Sequence, residues 1–126
     1  MEIRSELKYT KDHEWVKVEG NQATVGITDY AQGELGDIVY VEIESLDESL
    51  EKEEVFGSVE AVKTVSDLFL PVSGKVIEIN ESLEDSPELI NEDPYEKGWI
   101  IRMEIENLEE LIDLLDSESY KKLIGG

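Results

Sequence analysis

The stretch that decides the fold is Gly57–Val76, with the sequence GSVEAVKTVSDLFLPVSGKV. Two apolar, β-prone runs flank Lys63, and the second of them closes at Pro71 and Ser73-Gly74. Short runs of this kind, bounded by Gly, Pro and Ser, are typical of paired antiparallel strands. The pattern therefore predicts a β-hairpin with Lys63 at or near its tip, exposed to solvent.

An exposed lysine on a turn has two interpretations. Such a lysine is protonated in neutral water, which makes it a poor nucleophile, and in most hairpins it is only a solvated surface residue. Alternatively, it is an attachment point whose amine is acylated within the shaped active site of an enzyme. The residues around Lys63 favour attachment.

These residues resemble the lipoyl-lysine hairpin of the glycine cleavage H proteins, whose pattern is close to G-x-V-E-S-V-K-x-x-S-D followed by a P-V-S-G turn. The resemblance implies that Lys63 carries lipoate in amide linkage and that lipoate-attaching enzymes recognise Glu60 and Gly74. Ala61 stands where the family usually has Ser, a small-for-small replacement. Biotin carriers place Met on both sides of the lysine, and this chain has Met on neither side.

Three further segments resemble the same family in its order and spacing. They are HEWVKVEG at 13–20, GITDYAQGELGDIVYVE at 26–42 and NEDPYEKGWIIRMEI at 91–105. The lipoyl domains of 2-oxoacid dehydrogenases share the hairpin but lack the HEW and DPY-x-x-GW segments. The resemblance implies a mainly β fold, a lipoyl-type barrel-sandwich hybrid of two antiparallel sheets with short helices and a C-terminal helix.

The function implied by the resemblance is that of a shuttle and not of an enzyme. The lipoyl arm would carry an aminomethyl group from the pyridoxal-phosphate P-protein to the T-protein, and the flavin L-protein would reoxidise its dithiol. One alternative is a lipoyl or octanoyl donor for 2-oxoacid dehydrogenases, which glycine–bicarbonate exchange with P-protein would distinguish. Another, from a different class, is a stand-alone acidic hydrolase or lyase, whose unmodified chain would be active by itself.

The resemblance also implies a surface cleft in which the loaded arm is sheltered. Its residues correspond to Asp12, Glu14 and Asp67 in this chain. Position 12 is often a small polar residue in the family, so Asp12 departs from the usual pattern. Any cleft in a chain with 32 acidic residues will have carboxylates near it, so the alternative for Glu14 is a plain surface acid.

Length and composition narrow the possible classes. The 126 residues, 40% of them apolar, predict a single domain spanning 1–126. No apolar run has the length of a membrane span and the N-terminus has no signal-peptide core, so a cytoplasmic protein is expected. A small carrier that visits several enzymes is expected to be a monomer. The net charge of −21 argues against nucleic-acid binding, which requires basic surfaces.

Few residues are left for catalysis or metal binding. The chain contains no Cys, which excludes disulfides, thiolate catalysis and Cys metal sites. His13 is its only histidine, so a multi-histidine metal site is impossible, and a structural or surface role is expected for it. No phosphate-binding glycine pattern is present. These gaps favour a carrier.

Local patterns predict the order of the elements. Strands are expected at 15–18, 23–27, 38–44, 55–62, 64–70, 74–79 and 99–106, with an edge strand or mobile arm within 1–10. Thr28-Asp29 should cap a short helix, and helical turns are expected within 80–91. Asn107 and Glu110 have the spacing of a capping box before an amphipathic C-terminal helix, with a second short turn expected through Tyr120 and Leu123. Gly74, which follows Pro71 in a Ser-Gly turn, is expected to need a positive φ.

Overall fold

The structure, a computed structural model, describes residues 2–125; Met1 and Gly126, the ends of the expected 1–126 domain, lie outside the described residues. Within them the strands are β1 (Lys8–Tyr9), β2 (Glu14–Glu19), β3 (Gln22–Ile27), β4 (Ile38–Glu42), β5 (Ser49–Leu50), β6 (Val55–Ala61), β7 (Val65–Phe69), β8 (Gly74–Ile79) and β9 (Ile101–Ile105). The helices are α1 (Asp29–Leu35), α2 (Ser82–Asp85), α3 (Leu89–Glu92), a 3-10 helix (Leu108–Asp113) and α4 (Ser117–Leu123).

The strands form two antiparallel sheets. One sheet has six strands in the order β1-β2-β3-β9-β8-β5, and the other has three in the order β4-β6-β7. Both sheets contribute to one apolar core, for example through Val25 and Met103 from the first and Val59 and Leu68 from the second. The expected mainly β class with two antiparallel sheets and short helices is confirmed.

Alternating side chains explain how the six-stranded sheet covers this core. Along β9 the side chains of Ile101, Met103 and Ile105 are buried, whereas Arg102 and Glu104 between them are exposed. A period of two is what a strand with one solvated face requires. The strand therefore presents its apolar side to the core and its charges to water.

The hairpin between β2 and β3 has a two-residue connection. Glu19 pairs with Gln22, which leaves Gly20 and Asn21 at the turn. Gly20 has φ +64, and Asn21 is not among the residues with positive φ. Glycine at the first central position with positive φ matches a type II′ turn, whose twist suits antiparallel strands.

The short helix after β3 begins as the sequence predicts. The Thr28 side chain accepts a hydrogen bond from Ala31 N at 3.1 Å and so caps the N-terminus of α1.

None of the helices within residues 2–125 is long and apolar enough to cross a membrane.

The expected amphipathic helix after Asn107 differs in detail, whereas the expected second turn through Tyr120 and Leu123 is present as α4. Asn107 does cap a helix, because its side chain accepts from Glu109 N, but the helix is a 3-10 helix that ends at Asp113. Glu110 does not complete a capping box; its carboxylate accepts from Ser73 N at 2.7 Å and from Ser73 Oγ at 3.2 Å. This long-range contact replaces the local one, and α4 begins only at Ser117.

A second apolar cluster holds the C-terminus against the first strand. Tyr120 of α4 stacks on Tyr9 of β1 with ring centroids 4.6 Å apart and planes tilted by 8°. Tyr9 also exchanges two backbone hydrogen bonds with Leu115, at 2.8 and 2.7 Å. The edge strand β1 is therefore covered on its outer side by the returning chain, which protects the open sheet edge.

The expected positive φ at Gly74 is wrong, and close packing explains the glycine instead. Gly74 is not among the glycines with positive φ. It lies buried in β8 between Leu50 of β5 and Ile105 of β9. A Cβ added at this position would overlap the carbonyl oxygen of Glu104 and approach Met103 Cε to 2.5 Å. The absence of a side chain lets β8 and β9 approach each other.

Two Gly→Ala replacements should therefore change stability in opposite directions. Gly74→Ala should lower the free energy of unfolding by about 1–3 kcal/mol through overpacking against β9. Gly33→Ala should raise it by about 0.5–1 kcal/mol, because Gly33 lies in α1 and an added Cβ meets nothing within 4 Å. Urea denaturation of both variants and the wild type measures the difference. Equal stabilities would contradict the packing explanation.

Candidate functional site: the Lys63 hairpin and the buried Glu14

Lys63 lies in the tight connection between β6 and β7. Glu60 pairs with Val65, and Ala61 N donates a hydrogen bond to Thr64 O at 2.8 Å. Val62 and Lys63 occupy the tip, and Val62 N donates to Asp37 O at 3.2 Å. The tip position expected for Lys63 is confirmed, and the turn is tied to the loop that precedes β4.

The amine of Lys63 is available to a partner. Its side chain is exposed. Among residues 2–125 no carboxylate lies within 4.0 Å of its nitrogen, although acids outnumber bases almost threefold in the chain. No intramolecular ion pair has to be broken before the amine can react.

The two expected recognition residues lie in different surroundings. Glu60 is exposed on β6, three residues before Lys63, between Tyr40 of β4 and Val65 of β7. Gly74 is buried in the other sheet. An enzyme can therefore contact the Glu60 carboxylate directly, whereas Gly74 can act only through the conformation of the chain around it.

Glu14 is not a surface acid, because its side chain is only 1% exposed. It begins β2, and its carboxylate reaches across to the three-stranded sheet, where Oε2 accepts from Phe69 N of β7 at 2.7 Å. Oε1 accepts a longer bond of 3.3 Å from the Thr10 hydroxyl. A carboxyl group thus bridges β2 of the six-stranded sheet and β7, the edge strand of the three-stranded sheet.

Burial controls the protonation of this group. Loss of hydration raises the pKa of Glu14 from its ordinary value of 4.5 to about 8, against the opposing effect of the hydrogen bond from Phe69 N. The neighbouring Asp12 raises the pKa further, and Thr10 lowers it. Near neutral pH the carboxyl group can therefore exchange a proton when its surroundings change.

The three expected arm-docking residues are not brought into one cavity. Asp12 and Glu14 line a cavity of about 230 Å³ together with Leu70 and Leu115. Asp67 is exposed on β7 and lines a separate cavity of about 400 Å³ with other acids, namely Glu42, Glu44 and Glu48. β7 connects the two regions, because Asp67 precedes by two residues the backbone N–H that Glu14 binds.

A polar network that the sequence did not indicate fixes the segment before Glu14. The hydroxyl of Tyr120 lies 2.7 Å from Thr28 Oγ1 and 2.9 Å from His13 Nδ1. His13 has φ +67, an uncommon conformation for a non-glycine residue. Burial lowers the pKa of His13, which favours the neutral ring. The structural role expected for this histidine fits these contacts, whose partners are far apart in sequence.

The described residues contain no candidate metal site that could serve as the functional site instead of Lys63. Within 2–125 no group of three or more His, Asp or Glu side chains is arranged to hold a metal ion. The remaining candidate is the exposed lysine on its hairpin.

Comparison with known proteins identifies the family. The model of the glycine cleavage H-protein family matches residues 7–125. The chain belongs to this family. A glycine cleavage system H protein of Staphylococcus haemolyticus is 60% identical over 125 residues, which cover 99% of both chains. A protein of the same name from Staphylococcus saprophyticus is 58% identical, with the same coverage.

A solved structure of an H protein has the same fold. The crystal structure of the glycine cleavage system H protein from Mycobacterium marinum superposes with a TM-score of 0.89 at 36% identity, covering 98% of this chain and 100% of its own. H proteins are carrier components of the glycine cleavage system. These matches support the expected shuttle role over the alternative of a lipoyl donor for 2-oxoacid dehydrogenases.

The raised pKa of Glu14 predicts a specific loss of stability with rising pH. Between pH 4.5 and about 8 the unfolded chain releases this proton while the folded chain keeps it, so the free energy of unfolding falls as pH rises. Glu14→Gln removes the titration and keeps an oxygen to accept from Phe69 N. Relative to this variant, the wild type should lose up to about 1.4 kcal/mol per pH unit in that interval.

The measurement is a series of urea denaturations from pH 5 to 8. Glu19→Gln is the matched control, because Glu19 is an exposed glutamate at the other end of β2. The control should follow the wild type at every pH. A Glu14→Gln profile parallel to that of the wild type would contradict the burial argument.

Proposed function

We propose that Lys63 is the lipoyl attachment site and that the lipoylated chain shuttles the aminomethyl group from P-protein to T-protein and presents its dithiol to L-protein. The observation that carries this proposal is the exposed, unpaired amine of Lys63 at the tip of a tight hairpin. Membership of the H-protein family supports it. The polypeptide then acts as one carrier domain and not as an enzyme.

The hairpin suits the attachment of lipoate. In the loading reaction Lys63 Nζ, after losing one proton, attacks the carbonyl carbon of a lipoyl adenylate. The amide bond forms, AMP leaves with the electron pair of the broken C–O bond, and the nitrogen releases a second proton. Bound lipoate supplies a disulfide that can accept a group, pass it on and be reoxidised. An arm on the tip of a compact body can enter several active sites in turn.

The scaffold keeps the arm chemically isolated. The chain has no Cys, so no thiol of the protein can exchange with the lipoyl disulfide and trap the arm as a mixed disulfide. We also propose that Glu60 is read directly by lipoate-attaching enzymes, since its carboxylate is exposed three residues before Lys63. Gly74 contributes indirectly, by allowing the close approach of β8 to β9.

Asp12, Glu14 and Asp67 are proposed to shelter the loaded arm along the edge of β7. The carried aminomethyl group has an amine that is cationic at neutral pH. A carboxylate about 4 Å from it is worth about 1 kcal/mol in water-like surroundings and more where water is excluded. A cation beside Glu14 would favour the ionised carboxylate, so docking should release the proton that burial retains.

Partners and location follow from the same role. The partners are P-protein, T-protein, L-protein and the enzymes that attach lipoate, and we propose that the chain meets them as a monomer in the cytoplasm. The net charge of −21 favours steering towards basic surfaces of these partners. Nucleic acid is not a plausible partner for so acidic a chain.

The attachment site is tested by Lys63→Arg. This replacement keeps the charge and exposure of the side chain but removes the amine that can be acylated, so the fold should persist and lipoylation should be lost. Intact mass before and after treatment with a lipoate ligase, ATP and lipoate measures the outcome. The control is Lys75→Arg, which replaces a lysine of β8 in the same way; it should gain one lipoyl group like the wild type. A lipoyl mass on Lys63→Arg would refute the proposal.

Glu14→Gln tests the shelter. P-protein loads the lipoylated wild type and the lipoylated variant with the aminomethyl group and is then removed. The spontaneous release of formaldehyde from each protein is measured over time. The variant should release it several-fold faster, because it cannot present a charged carboxylate to the amine, and the ratio of the two rates should grow between pH 6 and 8. Glu19→Gln should behave as the wild type. Equal retention of the aminomethyl group in Glu14→Gln would show that other groups build the shelter.

A further inference from the structure

Most of the exposed large apolar side chains lie in the segment that runs from β4 to the start of β7. Of the nine exposed large apolar side chains among the described residues, six lie between Val39 and Val65. They are Val39, Tyr40, Leu46, Val55, Val62 and Val65. Scattered single apolar residues need no explanation on a protein surface, but a concentration of them indicates an interaction surface.

Strand register places two of them, Tyr40 and Val65, in one row. Tyr40 of β4 is the partner of Glu60 of β6, which is in turn the partner of Val65 of β7. Tyr40 is 53% exposed and Val65 62%, and Val62 at the tip is 72% exposed. The next row is more polar and consists of Glu42, Ser58 and Asp67. The outer face of the three-stranded sheet thus carries, close to Lys63, a row of two apolar side chains with Glu60 between them, and further acids in the next row.

The charge of this face is one-sided. Lys63 is the only Lys or Arg between Lys52 and Lys75, and none occurs between Lys17 and Lys52. Among residues 2–125 no cation lies within 4.0 Å of the carboxylates of Glu42, Glu60 or Asp67. The face therefore offers one amine and several unpaired carboxylates. A partner protein whose binding surface is apolar at its centre and carries Arg and Lys at its rim would be complementary to this face.

We propose that the row Tyr40–Glu60–Val65 is the docking surface for the enzyme that acylates Lys63, with Tyr40 as its apolar anchor. This inference rests on Lys63 being the attachment site. The partner is a lysine-acylating enzyme that covers the row with apolar side chains and pairs basic residues with the acids beside it. Tyrosine is a residue type that frequently dominates binding energy, and Tyr40 is the largest exposed apolar side chain of the row.

Distance from the amine selects this occupant over the other enzymes of the system. Glu60 lies three residues before Lys63, so their Cα atoms are at most about 10 Å apart, and the row of Glu60 reaches across all three strands. The acylating enzyme must bring its reacting atoms onto Lys63 Nζ itself, so its surface has to cover residues this close to the tip. Enzymes that react with the far end of an attached lipoyl arm do not need to contact residues so close to Lys63.

The test compares initial rates of acylation of the unmodified proteins by a purified lipoate ligase with ATP and lipoate, measured by intact mass. Tyr40→Thr/Val65→Thr keeps β-prone residues but removes the apolar contacts. It should raise KM tenfold or more and leave kcat within about twofold. Tyr40→Phe, which retains the ring, should stay within about twofold of the wild type in both constants.

Leu108→Thr/Ile112→Thr is the matched control. These side chains are 54% and 88% exposed on the 3-10 helix, so the control removes apolar surface outside the three-stranded sheet. It should be acylated like the wild type. Thermal unfolding of every variant should match the wild type, because all of the replaced side chains are exposed.

A second measurement uses the unaltered chain. Titration of ¹⁵N-labelled unmodified protein with the ligase should perturb amide signals of β4, β6 and β7 and leave those of the 3-10 helix unchanged. Wild-type KM for Tyr40→Thr/Val65→Thr, or an equal loss in the control, would overturn the docking surface. The docking surface would also be overturned if Tyr40→Thr/Val65→Thr were acylated normally but failed to accept the aminomethyl group from P-protein. Acylation of the wild type at a lysine other than Lys63 would instead overturn the attachment site.

Discussion

The bond between the Glu14 carboxylate and the backbone N–H of Phe69 is the contact on which the rest of the functional region depends. It joins β2 of the six-stranded sheet to β7, the edge strand of the three-stranded sheet, at 2.7 Å. An edge strand carries backbone groups without strand partners, and here a buried side chain satisfies one of them. The cost is a carboxyl group held away from water, which is why its pKa rises to about 8. Replacing it by an apolar residue would leave Phe69 N without an acceptor, so the group fixes the edge of the Lys63 hairpin.

The strands and the hairpin tip could be predicted because they follow from local rules. Two β-prone runs separated by a short connection define β6 and β7, and their alternation decides which side chains face the core. The ends of the strands were less accurate: β4 stops at Glu42 instead of residue 44, and the acidic connection before β6 contains the short strand β5. Such ends depend on which partner strand is available, and a single sequence does not specify this.

The errors share one cause, which is that a long-range contact displaced a local one. The spacing of Asn107 and Glu110 suggested a capping box, but the Glu110 carboxylate is taken by Ser73, 37 residues earlier. Gly74 looked like a turn glycine, but its role is to let β8 approach the backbone at Glu104. The burial of Glu14 was not visible in the sequence either, because its partner Phe69 N lies 55 residues away. In each case the residue type was informative, and the physical reason for it lay in the packing.

β7 illustrates how one strand can serve two tasks without conflict. Its side chains alternate, so Val65 and Asp67 point to the outer face while Leu68 enters the core. Its backbone edge is a separate surface, and Phe69 N on that edge is held by Glu14. Recognition of the unmodified lysine can use the face, and shelter of the loaded arm can use the edge. Asp67 is common to both proposals; apart from it, the two surfaces involve different atoms, so replacing Tyr40 or Val65 leaves the Glu14 contact intact, and replacing Glu14 leaves Tyr40 and Val65 intact. A carrier that must first be loaded by one enzyme and then serve others gains from this separation, since the loading surface is free again as soon as the arm is attached.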